Sequence, residues 1–529
     1  LPKRSTIGEI VVYPAKGGLE TISIPGTTTL GRLSSGRNFM VDINGAKKKN
    51  PGTIQQNINP VGALAPTGNA RTLFDFWRTN GSTKTRRTVF GASGRILADN
   101  GDGIYTDITG PFTLLATDNI VTETFIGLLI LAFENNPSGQ MLKWTQTGTL
   151  AALGGTPPNG KYLRNFLNRL WVTGVGSAPD RVYYSTVGNP EDWQLINGSG
   201  SIDLDQGDQD PIGNTALFPP FYGRLVVAKR RSLYEITPSG STFAVRNLIT
   251  GLGCISHNGV QSIDSDVIFP SERGINTLGM TDKLGQVDSA FASSSIQNYY
   301  QDVVSFDRAS NMRSIYVPEL NSYLLALTSK NSLTNDVVLG YNFALGEWYN
   351  WDLNISAFSR YVDPTDSNKT KVLVANDAGN IGVLDTSTRG RTVTWFGERL
   401  TMQFSTGIIY PLPVRKEVTF RKLTVYFRPS VRGAVLNVSY RVNSRFVEDL
   451  AFDMSPLETG SLIGSAIIGV DRIGTSGIIK HVTKNLHGVG EAIELIFTHQ
   501  PISDDDDCEI YGFVLEFEYS GDTDLPKQQ

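Results

Sequence analysis

Apolar residues along this chain come in short runs, separated by small polar turns rather than arranged as amphipathic helices. Leu170, Trp171 and Val172 form one run, and Val182, Tyr183 and Tyr184 form the next. Between them "GVGSAPD" supplies turn chemistry, because Gly tolerates positive φ and Pro fixes its own φ. Two β-branched or aromatic runs around such a turn predict a β-hairpin. Comparable pairs span 86–103, 127–148, 223–240, 265–280, 322–348 and 369–388. Strands such as "LLILAF" (128–133) and "VVLGY" (337–341) are apolar throughout, which predicts sheets covered on both faces.

Seven hairpins with starts about 40–57 residues apart, and few helical patterns between them, predict an all-β chain built on a β-propeller. Each small sheet cannot bury both faces alone; stacking around an axis buries them and leaves only short edges. The repeats carry neither a WD dipeptide nor a strict kelch double Gly, so the expected number of blades is six to eight, with seven fitting the spacing best. The propeller is assigned to residues 66–395. Residues 1–65 are irregular, with "SIPGTTTLGRLSSGRN" and the cationic run Lys47, Lys48, Lys49, and are expected to form an extended N-terminal arm.

After about residue 395 the pattern changes. "EVTFRKLTVYFRP" (417–429) and "EIYGFVLEFEY" (509–519) are longer and alternate. In the second, Phe513, Leu515, Phe517 and Tyr519 share one face while Glu516 and Glu518 point away. One buried face per strand predicts a separate C-terminal β-sandwich over 396–529.

Composition narrows the function. Charged residues are 19% of the 529, and the formal net charge is −4. A sequence-reading nucleic-acid binder would show a basic footprint, and this chain does not. Two cysteines, Cys254 and Cys508, are too few for a disulfide framework or a four-thiolate zinc site, and read as small apolar residues. The start at Leu1 lacks a signal-peptide core, and "FIGLLILAF" (125–133) is too short to span a bilayer, so a chain without a membrane partner is expected.

Candidate chemistry is sparse. "GTPPNGKY" (155–162) has the Gly and Lys spacing of a phosphate loop, but Tyr162 replaces the hydroxyl residue after Lys161 and two prolines remove amides. "GLGCIS" (251–256) is a broken dinucleotide fingerprint without an acidic partner. His257, His481, His487 and His499 have no metal-ligand spacing and read as lone surface or half-buried histidines; no G-x-S-x-G elbow accompanies them. No cofactor is expected. Carboxylates do cluster: Asp203, Asp205, Asp208 and Asp210 in "DLDQGDQD", Asp504–Asp507, and Asp99, Asp102 and Asp107. They read as solvated turns, against calcium loops or a glycosidase carboxylate pair. A negative surface facing something that must not stick is a further reading.

The stretch "RLWVTGVGSAPDRVYYSTVGNPEDW" (169–193) resembles a unit of structural proteins of tailed bacteriophages. "DVIFPSERGINTL" (266–278) and "GYNFALGEWYNW" (340–351) look like later blades of the same kind, and "VDINGAKKKNPGTIQQ" (41–56) is loosely similar to their start. The family is the podovirus tail hub or nozzle, including packaged-DNA stabilisation proteins, and the resemblance covers about 40–395. It implies a non-enzymatic virion protein, a homo-hexameric ring below the portal and its adaptor ring that contacts other tail proteins. Such a ring closes the DNA channel before infection and conducts DNA during ejection without binding it specifically. Asp203, Asp205, Asp208 and Asp210 are then a candidate channel-wall loop, since an acidic wall repels phosphate while a basic one retains it. Trp171, Trp193, Trp348 and Trp351 would be core or blade-edge aromatics. The competing readings are a carbohydrate-binding host-receptor propeller and a propeller glycosidase.

Overall fold

A computed structural model describes residues 5–22, 28–57, 70–99, 103–135, 139–204, 212–263, 266–280, 287–363, 369–387, 391–412, 416–430, 434–455 and 479–520. Almost every regular element is a strand, and Gln297–Val303 is the α-helix among the described residues. Seven small antiparallel sheets of four strands follow one another along the chain. The first six take residues 70–107, 120–152, 162–203, 214–250, 261–291 and 313–351. The seventh takes 357–384 and receives its fourth strand, Thr53–Gln55, from far upstream, with Val383 opposite Ile54. The seven hairpins expected from the apolar pattern each fall in a different sheet, as its second and third strands.

The sheets are arranged in a ring. The first strand Ile120–Phe125 packs on Ala70–Asn80 and on Tyr162–Phe166, which packs on Asn214–Leu217. Gln261–Ile263 packs on Arg313–Val317, then Ala357–Asp363, which returns to Ala70–Asn80. The 3₁₀ turn His257–Gly259 bridges the remaining gap by touching both Asn214–Leu217 and Arg313–Val317. Antiparallel order then gives the ring two faces: a near face where first strands begin, and a far face carrying the turns after first and third strands.

Apolar layers between consecutive sheets hold this arrangement. Phe166, Trp171 and Val182 of the third sheet meet Leu217, Leu225, Val227 and Tyr234 of the fourth. Phe90 and Leu97 of the first meet Tyr361, Leu373 and Val383 of the seventh. Leu129–Phe133 is buried on both faces, which is why its sequence shows no alternation. At roughly 25 cal/mol per Å² of apolar surface, these layers are the main favourable term in the fold.

Two larger sheets stand beside the ring. Val418–Phe427, Lys480–Asn485 and Glu509–Ser520 belong to one; Met402–Ile409, Val435–Val442, Arg445–Asp453 and Ile493–His499 belong to the other. They pack face to face: Phe404 and Phe497 stack at 4.9 Å, and Phe513 of the opposite sheet lies 5.8 Å from Phe497. Phe513, Leu515, Phe517 and Tyr519 are buried as the alternation required. Residues 1–65, read from sequence as an extended arm, supply strands. Ser5–Val12 and Lys47–Lys49 both pair with Glu509–Ser520, and Ser35–Arg37 pairs with Met402–Ile409. Their strands are mostly three residues long, too short for a period to show. One continuous core joins these sheets to the ring through Phe39, Trp348 and Trp351, with the Trp351 indole donating to the Phe39 carbonyl at 2.9 Å.

Candidate functional site

The acidic loop singled out from the sequence starts at Asp203, the last residue of the outermost strand of the third sheet. Asp203 is exposed, and Arg181 grips it bidentately at 2.5 and 2.9 Å. Those hydrogen bonds and the guanidinium charge hold the Asp203 carboxyl below its ordinary range. Its charge is therefore largely matched within the sheet. Asp205, Asp208 and Asp210 lie outside the described residues, as does Asp102.

Of the carboxylates of 504–507, Asp504 is exposed, Asp505 and Asp507 are half-buried and Asp506 is buried. Asp504 pairs with Arg399 at 3.0 Å, Asp505 accepts from Ser503 at 2.8 Å, and Asp507 accepts from Arg391 Nε and Nη2, each at 2.8 Å. Asp506 is fully buried, accepts from Ser430 and from the Ile502 amide, and lies 3.6 Å from His499. The run thus ties Arg391, beyond the seventh sheet, to the large sheets. Among the described residues no group of three His, Cys, Asp or Glu is placed to hold a metal.

The histidines divide differently from the sequence expectation of surface or half-buried rings. His257 and His499 are fully buried, and both cysteines are buried and free. Periodicity does not register a His in a 3₁₀ turn such as 257–259. His257 Nδ1 accepts the Leu217 amide at 3.1 Å, and its ring stacks on Tyr162 at 5.1 Å. Burial, then the charges of Arg164 and Arg313, push its pKa well below the ordinary value, so the ring is neutral.

A polar cluster fills the near face around the ring axis. Arg313, fully buried, donates to the Arg71 carbonyl and to Asn119 Oδ1, both at 2.9 Å. Arg71 donates to Asn311 at 2.9 Å, and Asn119 donates to Glu134 at 2.7 Å. Burial lowers the Arg313 pKa to about 9, and the neighbouring Arg71 adds to the lowering. These groups come from the first, second and sixth sheets, so the cluster pins strands that are distant in sequence. It leaves only small voids, about 20 Å³ beside His257 and about 10 Å³ beside Arg71. No drug-sized ligand fits there.

The Asn168–Trp193 unit explains its own composition. Arg169–Val175 and Ala178–Tyr184 are the central hairpin of the third sheet. The "GNPEDW" turn folds back on the second sheet: Glu191 accepts from Lys143 at 2.6 Å and from the Gly154 amide at 2.5 Å. Trp193 packs on the apolar layer between the second and third sheets, its indole donating to the Pro190 carbonyl at 3.0 Å. Trp171, Trp348 and Trp351 are fully buried. The aromatic residues of the unit serve packing between sheets.

Sequence reasoning missed one feature of the far face. Phe125-Ile126-Gly127, Phe166-Leu167-Asn168 and Phe221-Tyr222-Gly223 occupy equivalent turns of the second, third and fourth sheets. Each presents a large apolar residue to solvent at positive φ. The repeated aromatic–apolar–Gly/Asn triplet at strand ends was the available signal.

Comparison with known proteins adds little. No family model matches the chain, and no curated protein matches it. Solved structures with a similar course include a chain of an S. cerevisiae complex of Dbp5 bound to Nup159, Gle1, IP6 and ADP. It is 11% identical, with a TM-score of 0.38, covering 65% of this chain and 95% of that one. The extracellular domain of a putative one component system from B. thetaiotaomicron is 12% identical at a TM-score of 0.40, covering 87% and 60%. An exo-β-1,3-galactanase from Phanerochaete chrysosporium is 9% identical at 0.25, covering 83% and 95%. Among the described residues no helix is long and apolar enough to cross a membrane.

Proposed function

We propose that this chain is a structural virion protein of a phage tail, a seven-bladed propeller carrying a β-sandwich, which assembles with copies of itself into a hub or nozzle ring. Such a ring attaches below the portal and adaptor, closes the DNA channel, and conducts DNA during ejection. The observation that carries this reading is the fate of the Asn168–Trp193 unit, on which the resemblance to tail proteins rests. Its conspicuous residues, Trp171, Glu191 and Trp193, are all used to join neighbouring sheets.

Two further features support a load-bearing part. The core runs unbroken from the fifth, sixth and seventh sheets into the two large sheets, so the molecule transmits force as one body. The first and last of the described strands, Ser5–Val12 and Glu509–Ser520, pair in the same sheet. The net charge of −4 suits a conduit that DNA passes without adhering.

Electron microscopy of the purified particle, together with duplex-DNA binding at physiological salt, tests the reading. Closed rings with an axial opening and weak DNA retention are expected. Tight, salt-sensitive DNA binding would overturn the conduit.

A further inference from the structure

We infer that the cleft between the two large sheets is a binding site for a medium-chain carboxylic acid, its acid group held at Lys47 and its apolar chain lodged between the sheets. The cleft measures about 380 Å³. That lies within the range of small-molecule sites, and at about 30 Å³ for each water-sized group it has room for about a dozen non-hydrogen atoms. Both sheets supply its walls. Ile10, Val12 and Phe513 come from one, and Phe404, Ile409 and Phe497 from the other. Residues 30–33 line it as well.

The polar end of the cleft holds a cation without a carboxylate of its own. Lys47 lines it, although only 1% exposed. Its ammonium donates to the Ala15 carbonyl at 2.7 Å and to the Gly17 carbonyl. The carboxylate whose charge reaches Lys47 is that of Glu347, and it is already engaged. One Glu347 oxygen accepts from Arg32, also on the lining, at 3.0 Å, and the other from the Gly18 amide at 2.8 Å. Two cations therefore share one carboxylate. A buried ammonium matched only by carbonyls is costly. Burial accordingly lowers the Lys47 pKa to about 7, with the Glu347 charge opposing the shift. A ligand carboxylate supplies the missing partner, which an uncharged apolar molecule would not.

The lining also carries the carboxylate of Glu9, and the strand register places it away from Lys47. On the strand Glu509–Ser520, Lys47 stands opposite Ile510 and Glu9 opposite Glu516. Six residues of extended chain separate the two positions, about 20 Å. Between them the same strand buries Phe513 and Leu515. A single chain with an acid at one end matches that order: cation, apolar wall, then the solvated Glu9. The inference does not depend on ring assembly.

Isothermal titration calorimetry of the full chain with decanoate and with decanol tests it, at pH 8 and pH 6 in buffers of different ionisation enthalpy. Decanoate should bind saturably and about tenfold or more tighter than decanol, the worth of a hydrogen bond to a charged group. At pH 8 binding should be accompanied by proton uptake, because the bound carboxylate favours the charged form of Lys47. At pH 6, below the free pKa of Lys47, that uptake should vanish. Lys47→Met should reduce decanoate affinity to that of decanol. Should this variant fail to fold, proton uptake by the parent decides. Absence of saturable decanoate binding, equal affinity for acid and alcohol, binding at pH 8 without proton uptake, or a folded Lys47→Met chain that binds decanoate as the parent does overturns the inference.

Discussion

Glu191 reaches out of the third sheet and accepts a hydrogen bond from Lys143 of the second at 2.6 Å, so a turn that looks like a surface motif is a clasp between sheets. Burial raises the carboxyl pKa, but the hydrogen bonds from Lys143 and the Gly154 amide, with the Lys143 charge, outweigh it and leave the pKa below the ordinary value. The stabilisation is therefore present above the unfolded carboxylate pKa of about 4.3 and fades as the pH falls through the lower folded value. Glu191→Ala should cost about 1–2 kcal/mol in urea unfolding at pH 7, the worth of a part-buried pair plus one amide bond left without its acceptor. An unchanged midpoint would remove the clasp.

Trp171 is fully buried between the third and fourth sheets, with Tyr184 and Phe243 rings 4.9 and 4.8 Å away and its indole on the Phe166 carbonyl at 3.0 Å. Trp171→Ala should cost roughly 3–5 kcal/mol, the range for large aromatic truncation in a core. Trp77→Ala, at a partly exposed site on the first sheet, should cost far less. Similar losses in denaturant titrations of the two variants would contradict the assignment of the inter-sheet layer.

Ile126→Asn has an unusual expected sign. A β-branched residue at φ 44° pays a left-handed penalty that Asn largely avoids. The monomeric chain should gain about 0.5–1 kcal/mol after the loss of partial burial is counted. Thermal unfolding of dilute protein measures it. Destabilisation would mean that Ile126 packs within its own chain.

His257 gives the fold a pH dependence near neutrality. Its Nδ1 must stay unprotonated to accept the Leu217 amide, and its folded pKa is depressed. The unfolded chain therefore binds the proton first. Stability from this group is complete above about pH 6.5 and declines below it toward the folded pKa. Glu134 and Lys161 line the same small void and are retained in the comparison. The slope of unfolding free energy against pH between about 6.5 and 5 should flatten in His257→Gln. An equal slope in both proteins would place the titration elsewhere.

The ring of small sheets was legible in the sequence because its central hairpins are apolar on both faces. Leu128–Phe133 and Ser322–Thr328 announce themselves without alternation. Some fourth strands were not legible, because pieces such as Thr53–Gln55 and Ala151–Ala152 are too short to carry a period. The pairing of the first and last described strands was hidden for another reason. Pairing of Ser5–Val12 with Glu509–Ser520 spans nearly the whole chain, and nothing local encodes it. Asp507 and Asp504 are held by partners as distant as Arg391 and Arg399, which spacing cannot disclose. The large apolar residues at the far-face turns break the turn rule that made the hairpins recognisable.

The central claim, that this chain is the building block of a ring, is tested most directly by the mass of the native particle. Native mass spectrometry of the chain at micromolar concentration should give a single closed multiple of the 57.7 kDa chain mass, six being the multiple expected from the tail-protein resemblance. A 57.7 kDa monomer that persists at every concentration would contradict the account.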